Sequence, residues 1–271
     1  MMNKVVQIKT SSVDFNKLTS TPLLLASLVV QAGAATITVP NGSFESQVPP
    51  PTPPYITTQV DSWQKTARPI WFDEAANGMT WDQTAGLFQN APSGSGYHDN
   101  MNGNQALYLL SFPQAGLFQD YNTTDWNHST PTHDFNSLFH AGLSYQLVVG
   151  VIGGKGGMPE GAALELSLYY RDNANNIVTV GSSPITYTAA AFPNAGHFLD
   201  FTVSIPTVQS GDAWAEQNIG IGLFSTSGTG TGYWELDNVR LTEVPEPTSG
   251  ALLGLGLGAF LLKRWRARPA A

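Results

Sequence analysis

The sequence predicts an all-β protein, an antiparallel β-sandwich flanked by an N-terminal signal helix and a short C-terminal transmembrane helix. Three observations carry this. Only 12% of the 271 residues are charged, while glycine, serine, threonine and asparagine are plentiful, which favours short strands joined by many turns. Apolar residues recur with period two in several runs. Between residues 36 and 244 no helical pattern exceeds about two turns; Ala189-Ala190-Ala191 is the one local temptation, and Pro193 limits it.

The first element is a leader. Lys4, Lys9 and Lys17 precede an apolar run from Pro22 to Val30, and the small residues Ala32-Gly33-Ala34-Ala35 follow it. Cations, a short apolar core and a small-residue cleavage site make a secretory signal peptide over residues 1–34. The run is too short to span a bilayer, which takes about 20 apolar residues. Export is therefore expected, with signal peptidase as a processing partner.

The β domain spans residues 35–244. Residues 46–62 hold Pro49, Pro50, Pro51, Pro53 and Pro54 and read as an extended connector or surface loop. Strands are predicted at 105–110, 117–121, 144–151, 163–170, 177–181, 197–205, 218–224 and 234–241. Tyr145, Leu147, Val149 and Val151 share one face, as do Leu164, Leu166, Leu168 and Tyr170. In the closing strand Trp234 and Leu236 have one parity, and Val239 and Leu241 the other. A regular strand cannot bury both pairs on one face. Either a bulge lies near Asp237-Asn238, or the strand is buried on both sides. A bulge would re-aim Asp237.

Charge narrows the partners. Lys65, Arg68, Lys155, Arg171 and Arg240 face 19 carboxylates between Ala35 and Glu246, a net charge of −14 against −8 for the whole chain. So acidic a domain repels nucleic acid and anionic lipid. There are no cysteines, which excludes disulfides and thiolate zinc sites and leaves hard cations with oxygen ligands as the available staple.

Local catalytic motifs are absent. No Gly-x-Ser-x-Gly elbow, Walker loop or His-Glu-x-x-His occurs. The segment from Asp125 to Asp134 holds His128 and His133, with His140 soon after, but its spacing fits no firm metal pattern and reads as a solvated loop. His98-Asp99 is a loop pair without an assigned role. Trp71, Trp81 and Trp126 lie in or beside polar stretches and are candidate platforms for a sugar ring, while Trp63, Trp214 and Trp234, and at least two of those three candidates as well, are expected in the core.

The C-terminus has three parts. Pro245-Glu246-Pro247 precedes an apolar run at 251–262, which ends in Lys263-Arg264-Trp265-Arg266-Ala267-Arg268. As a helix this run rises about 18 Å, short of a hydrocarbon core of about 30 Å. The order of parts resembles the PEP-CTERM sorting signal of Gram-negative bacteria. That resemblance covers residues 245–271 and implies recognition by an exosortase at Pro245-Glu246-Pro247, transient membrane anchoring through 251–262, and delivery to the cell surface or extracellular matrix. A second resemblance lies in the domain itself. Asn41-Gly42-Ser43-Phe44-Glu45 and the ending Asp237-Asn238-Val239 resemble galactose-binding-like jelly rolls, the fold of many carbohydrate-binding modules. It implies a jelly roll whose first and last strands meet, with a structural Ca²⁺ held by Glu45, Asp237 and backbone carbonyls. Together these features predict a non-catalytic surface or matrix protein that binds polysaccharide. The alternatives are a purely structural or adhesive protein and a secreted glycan hydrolase or lyase.

Overall fold

The computed structural model describes residues 33–51, 55–94, 96–123 and 135–245. They fall within one compact unit, Ala32–Pro247. The leader through Ala32, the Asp125–Asp134 histidine segment, and the chain from Glu246 onward lie outside the described residues.

Twelve strands follow in order: β1 (Ala35–Ile37), β2 (Ile56–Thr57), β3 (Gln64–Lys65), β4 (Ala85–Gln89), β5 (Gln105–Leu110), β6 (Gly116–Gln119), β7 (Leu143–Lys155), β8 (Ala163–Arg171), β9 (Ile177–Thr186), β10 (Leu199–Ile205), β11 (Gly220–Ser227) and β12 (Tyr233–Pro245). One α-helical turn, Glu74–Asn77, and one 3-10 turn, Trp81–Thr84, separate β3 from β4. The Asp73 carboxylate caps the first by accepting from the backbone N–H of Ala75 and Ala76. Among the described residues no helix is long and apolar enough to cross a membrane.

All pairings are antiparallel, and the strands form two sheets. The larger runs β10-β7-β12-β5-β4-β2, with β1 also on β12; the smaller runs β3-β6-β11-β8-β9. The antiparallel sandwich expected from alternation is therefore present. Its core sits between the sheets: Leu107, Leu109, Leu147, Val149, Trp234 and Leu236 from the larger pack with Leu117, Leu164, Leu166, Ile221 and Leu223 from the smaller. Trp63 is buried as expected, and Trp214 packs against the same cluster while only partly covered.

The closing strand resolves the parity conflict with a bulge. Register shifts between Asp237 and Arg240, and Asn238 takes a positive φ of 54°. Trp234 and Leu236 face the core before the bulge, and Val239 and Leu241 face it after. The same point marks a change of neighbour. The first half of β12 pairs with β5 (Glu235 opposite Tyr108), and the second half pairs with β1 (Leu241 opposite Ile37). The chain from Val39 to Glu45 fills the notch between them, with Val239 N–H donating to the Gly42 carbonyl at 2.8 Å.

Candidate functional site

The larger sheet is buried on both faces in its middle. Gly86, Tyr108 and Glu235 are register partners across β4, β5 and β12, and Glu235 is also opposite Ile152 of β7. Directly paired residues project to the same face. This row lies on the side away from the sandwich core, since its neighbours Leu107, Leu109, Trp234 and Leu236 take the core side. A cavity of about 520 Å³ opens over the row, with Ile56, Met79, Phe88 and Leu110 as apolar walls and Tyr108, Tyr233 and Glu235 as polar members. Gly86 is needed beneath it, because a Cβ there would collide with the Tyr108 hydroxyl and the Thr57 carbonyl.

The polar groups of this cavity are unusual. Glu235 is 3% exposed. Its Oε2 lies 2.8 Å from His98 Nε2 and 3.2 Å from Lys155 Nζ. A buried carboxylate needs such a partner, because an unpaired charge in an apolar setting is costly. The Tyr108 hydroxyl is buried without a hydrogen-bond partner. Burial, helped by the charge of Asp82, pushes its pKa up to about 12, so it stays a protonated donor at physiological pH. Tyr233 is raised too, by burial first and then by Glu235.

His98, which the sequence leaves without a role, is held against Glu235. It is 2% exposed, and its ring sits between those of Phe88 and Phe198. Asn90 fixes its main chain by donating Nδ2–H to the His98 carbonyl and accepting from the His98 N–H, both at 2.9 Å. No spacing signal could have linked His98 to Glu235, 137 residues away.

A second polar site lies two residues along the same strand. Glu45 Oε1 accepts from the backbone N–H of Asn104 and Gln105, each at 2.8 Å. Asp237 Oδ2 accepts from Asn102 N–H at 2.6 Å, and its Oδ1 accepts from Asn238 N–H at the same distance. The two carboxylates thus grip one short segment, Asn102 to Gln105, from its two ends. Gly103 lies between them at a φ of 98°, where a Cβ would strike the Glu45 carboxylate. Asp237 is 1% exposed. Burial pushes its carboxyl up to about 7, Glu45 pushes the same way, and the two backbone N–H groups and Arg240 oppose only in part. A polar cavity of about 450 Å³ adjoins, lined by Asn41, Gly42, Ser43, Glu45, Asn102 and Asn238. Among the described residues no group of three or more His, Cys, Asp or Glu is gathered for a metal. The oxygen-only donor set with a charge-starved carboxylate nevertheless fits a hard cation better than a transition metal.

Of the expected sugar platforms, Trp71 and Trp81 lie among the described residues, and only Trp71 is exposed. Trp81 is 5% exposed and donates its indole N–H to the Thr66 carbonyl at 2.7 Å, so its ring is a core element. Trp71 is 49% exposed and meets Trp81 and Phe72 edge-on. Trp126 lies outside the described residues. Of the expected processing triplet, Pro245 ends β12, while Glu246, Pro247 and the apolar run at 251–262 fall outside them.

A sequence-family model described as HpiC1-like, HpiC1 cyclase, matches residues 35–242. The chain belongs to the HpiC1-like cyclase family. Solved structures share its fold. An apo-form cyclase from Fischerella sp. superposes with a TM-score of 0.55 at 17% identity, over 79% of this chain and 98% of that one. The Stig cyclase Fisc from Fischerella sp. TAU, in complex with (3Z)-3-(1-methyl-2-pyrrolidinylidene)-3H-indole, gives 0.54 at 18%, over 78% and 98%. A third, a cyclase from Fischerella sp. TAU, is in complex with 4-(1H-indol-3-yl)butan-2-one. No curated protein matches in sequence.

Membership in the HpiC1-like cyclases overturns the expectation of a non-catalytic, exosortase-sorted matrix protein with a carbohydrate-binding module. The PEP-CTERM resemblance rests on a tenth of the chain at its end, whereas the cyclase family accounts for the whole β domain. No local sequence motif marks this cavity, and the reason is physical. The chemical groups of this cavity come from separate strands and a loop and meet only across the sheet.

Proposed function

We propose that this chain is a cyclase that encloses an apolar, indole-type substrate in the cavity over β4, β5 and β12. The observation that carries the reading is a buried carboxylate, Glu235, backed by a cation and set in an apolar cavity beside an unpartnered tyrosine hydroxyl. Ring closure onto an electron-rich aromatic builds positive charge and moves a proton. Glu235 is the group to take or return that proton and to stabilise the charge, and Tyr108 donates a hydrogen bond without itself ionising. The walls Ile56, Met79, Phe88 and Leu110 exclude the water that would trap a cationic intermediate. The substrate class follows the indole compounds held by the Fischerella cyclases.

Glu45 and Asp237 would hold Ca²⁺ with backbone and amide oxygens nearby, and the ion would tie the Asn102 to Gln105 segment to β12. The sandwich is read more finely as a jelly roll, because β1 closes onto β12. Export through the leader at residues 1–34 follows from its sequence.

The test is calorimetric binding of 4-(1H-indol-3-yl)butan-2-one, then incubation with 3-alkenylindoles read as a retention-time change without a mass change. Leu110→Trp, which fills the cavity, should abolish binding. Glu235→Gln should keep binding and lower turnover by about 10²–10⁴-fold. Absence of binding to any indole, or full turnover by Glu235→Gln, would overturn the reading.

A further inference from the structure

His98 stands behind Glu235 and outside the cavity lining, and its hydrogen bonding constrains its proton. Nε2 faces Glu235 Oε2 at 2.8 Å and Lys155 Nζ at 3.3 Å. Nδ1 is buried with no hydrogen-bond partner. The imidazole ring also meets two apolar rings, Phe88 of β4 and Phe198 before β10. The adjacent Asp99 turns away to His197 Nδ1 at 2.6 Å. Three protonation states compete. An imidazolium would bury an unpaired N–H at Nδ1 and set a second cation against the Lys155 ammonium. The Nδ1–H tautomer would leave the same orphan donor and aim the Nε2 lone pair at a carboxylate oxygen 2.8 Å away, gaining in return only the longer 3.3 Å contact from Lys155 Nζ. The Nε2–H tautomer donates to Glu235 and leaves only an unpaired acceptor, the least costly of the three.

We propose that His98 is held as the neutral Nε2–H tautomer and is a positioning residue. With Lys155 it clamps Oε2 of Glu235, so that Oε1 is the oxygen presented to the substrate. Among the described residues Oε1 accepts no hydrogen bond, while Oε2 serves both partners. The clamp keeps the charge from swinging toward its own ammonium as positive charge grows in the cavity. The presentation of Oε1 rests on the role proposed for Glu235; the tautomer does not.

Long-range ¹H–¹⁵N correlation on the ¹⁵N-labelled full chain reads the tautomer directly, with His98→Leu identifying the signal by its loss. The expected pattern is Nε2 protonated and Nδ1 bare. An imidazolium or an Nδ1–H pattern would overturn the proposal. The Glu235 carboxyl ¹³C shift should move in His98→Leu; an unmoved shift would sink the clamp. In the same variant, binding of 4-(1H-indol-3-yl)butan-2-one should persist while kcat for a converted alkenylindole falls about 10²-fold, as for a reacting group displaced by about 1 Å. His98→Gln, whose amide N–H can reach the carboxylate, should recover much of that loss. An unchanged kcat in His98→Leu would end the positioning role. If the wild type turned over no indole, the reading of Glu235 would fail, and the two NMR results would still decide the clamp.

Discussion

Glu235 and Asp237 sit two residues apart on β12, are equally buried, and meet opposite electrostatic conditions. Glu235 has an ammonium at 3.2 Å and an imidazole at 2.8 Å. Asp237 has backbone N–H groups and a like charge at Glu45, while Arg240 binds Asp200 at 2.6 Å instead. One carboxylate has its counter-charge built in, so it is oriented before any ligand arrives. The other lacks one and takes up a proton or a cation. On the proposed reading a single strand thus carries a preorganised reactive group and an ion-responsive structural group, the second held against Asn102 just before the bulge at Asn238.

The largest effect should come from breaking the built-in pair. Lys155→Met leaves Glu235 buried without its cation and should cost about 3–5 kcal/mol in urea unfolding at pH 7. A cost no greater than that of Asp237→Asn would erase the contrast. Calcium should act on the other carboxylate. At a free concentration one hundred times its Kd it should add about 2.7 kcal/mol to the chelator-treated protein, and the gain should vanish in Asp237→Asn. An unchanged unfolding midpoint would remove Asp237 as a ligand.

The pH dependence comes next. The folded state holds the Asp237 proton up to about pH 7, and the unfolded chain releases it near pH 4. The folded state binds more protons in that window, so without calcium stability falls as pH rises through it, by about 1.4 kcal/mol per unit. Asp237→Asn should flatten this slope relative to the wild type, and a parallel pair of curves would contradict the assignment. The smallest change in stability is expected for Tyr108→Phe. Removing a hydroxyl with no partner should shift the unfolding free energy by less than about 1 kcal/mol, while turnover drops.

Much of the scaffold was legible because half-buried strands alternate. Tyr145, Leu147, Val149 and Val151 of β7 are all buried, and Gln105–Leu110 is a strand over the expected residues. The parity of Trp234, Leu236, Val239 and Leu241 required a bulge or a doubly buried strand, and β12 has the bulge. The strands β1 to β4 were missed because two to five residues are too few to show a period. Glu45 and Asp237 could be singled out because each lies in a short recognisable segment at an end of the domain. Glu235, Tyr108 and His98 could not. Ala106, Tyr108 and Leu110 oppose Leu107 and Leu109 on a strand covered on both faces, so alternation does not show which face is a cavity. Trp81 is one of the candidate platforms that lies in the core, its polar neighbours belonging to a turn that folds the ring inward.

The pairing of Ala35 with Glu243 joins positions at opposite ends of the domain. The main sheet therefore cannot be completed until the last strand has left the ribosome, however early β4, β5 and β7 emerge. Contacts this distant in sequence make folding slow and expose unpaired edges meanwhile. The notch that receives Glu45 and Asp237 exists only after that final strand has docked, so an ion bound there would act as a latch on a finished chain and could not act as a seed for an unfinished one.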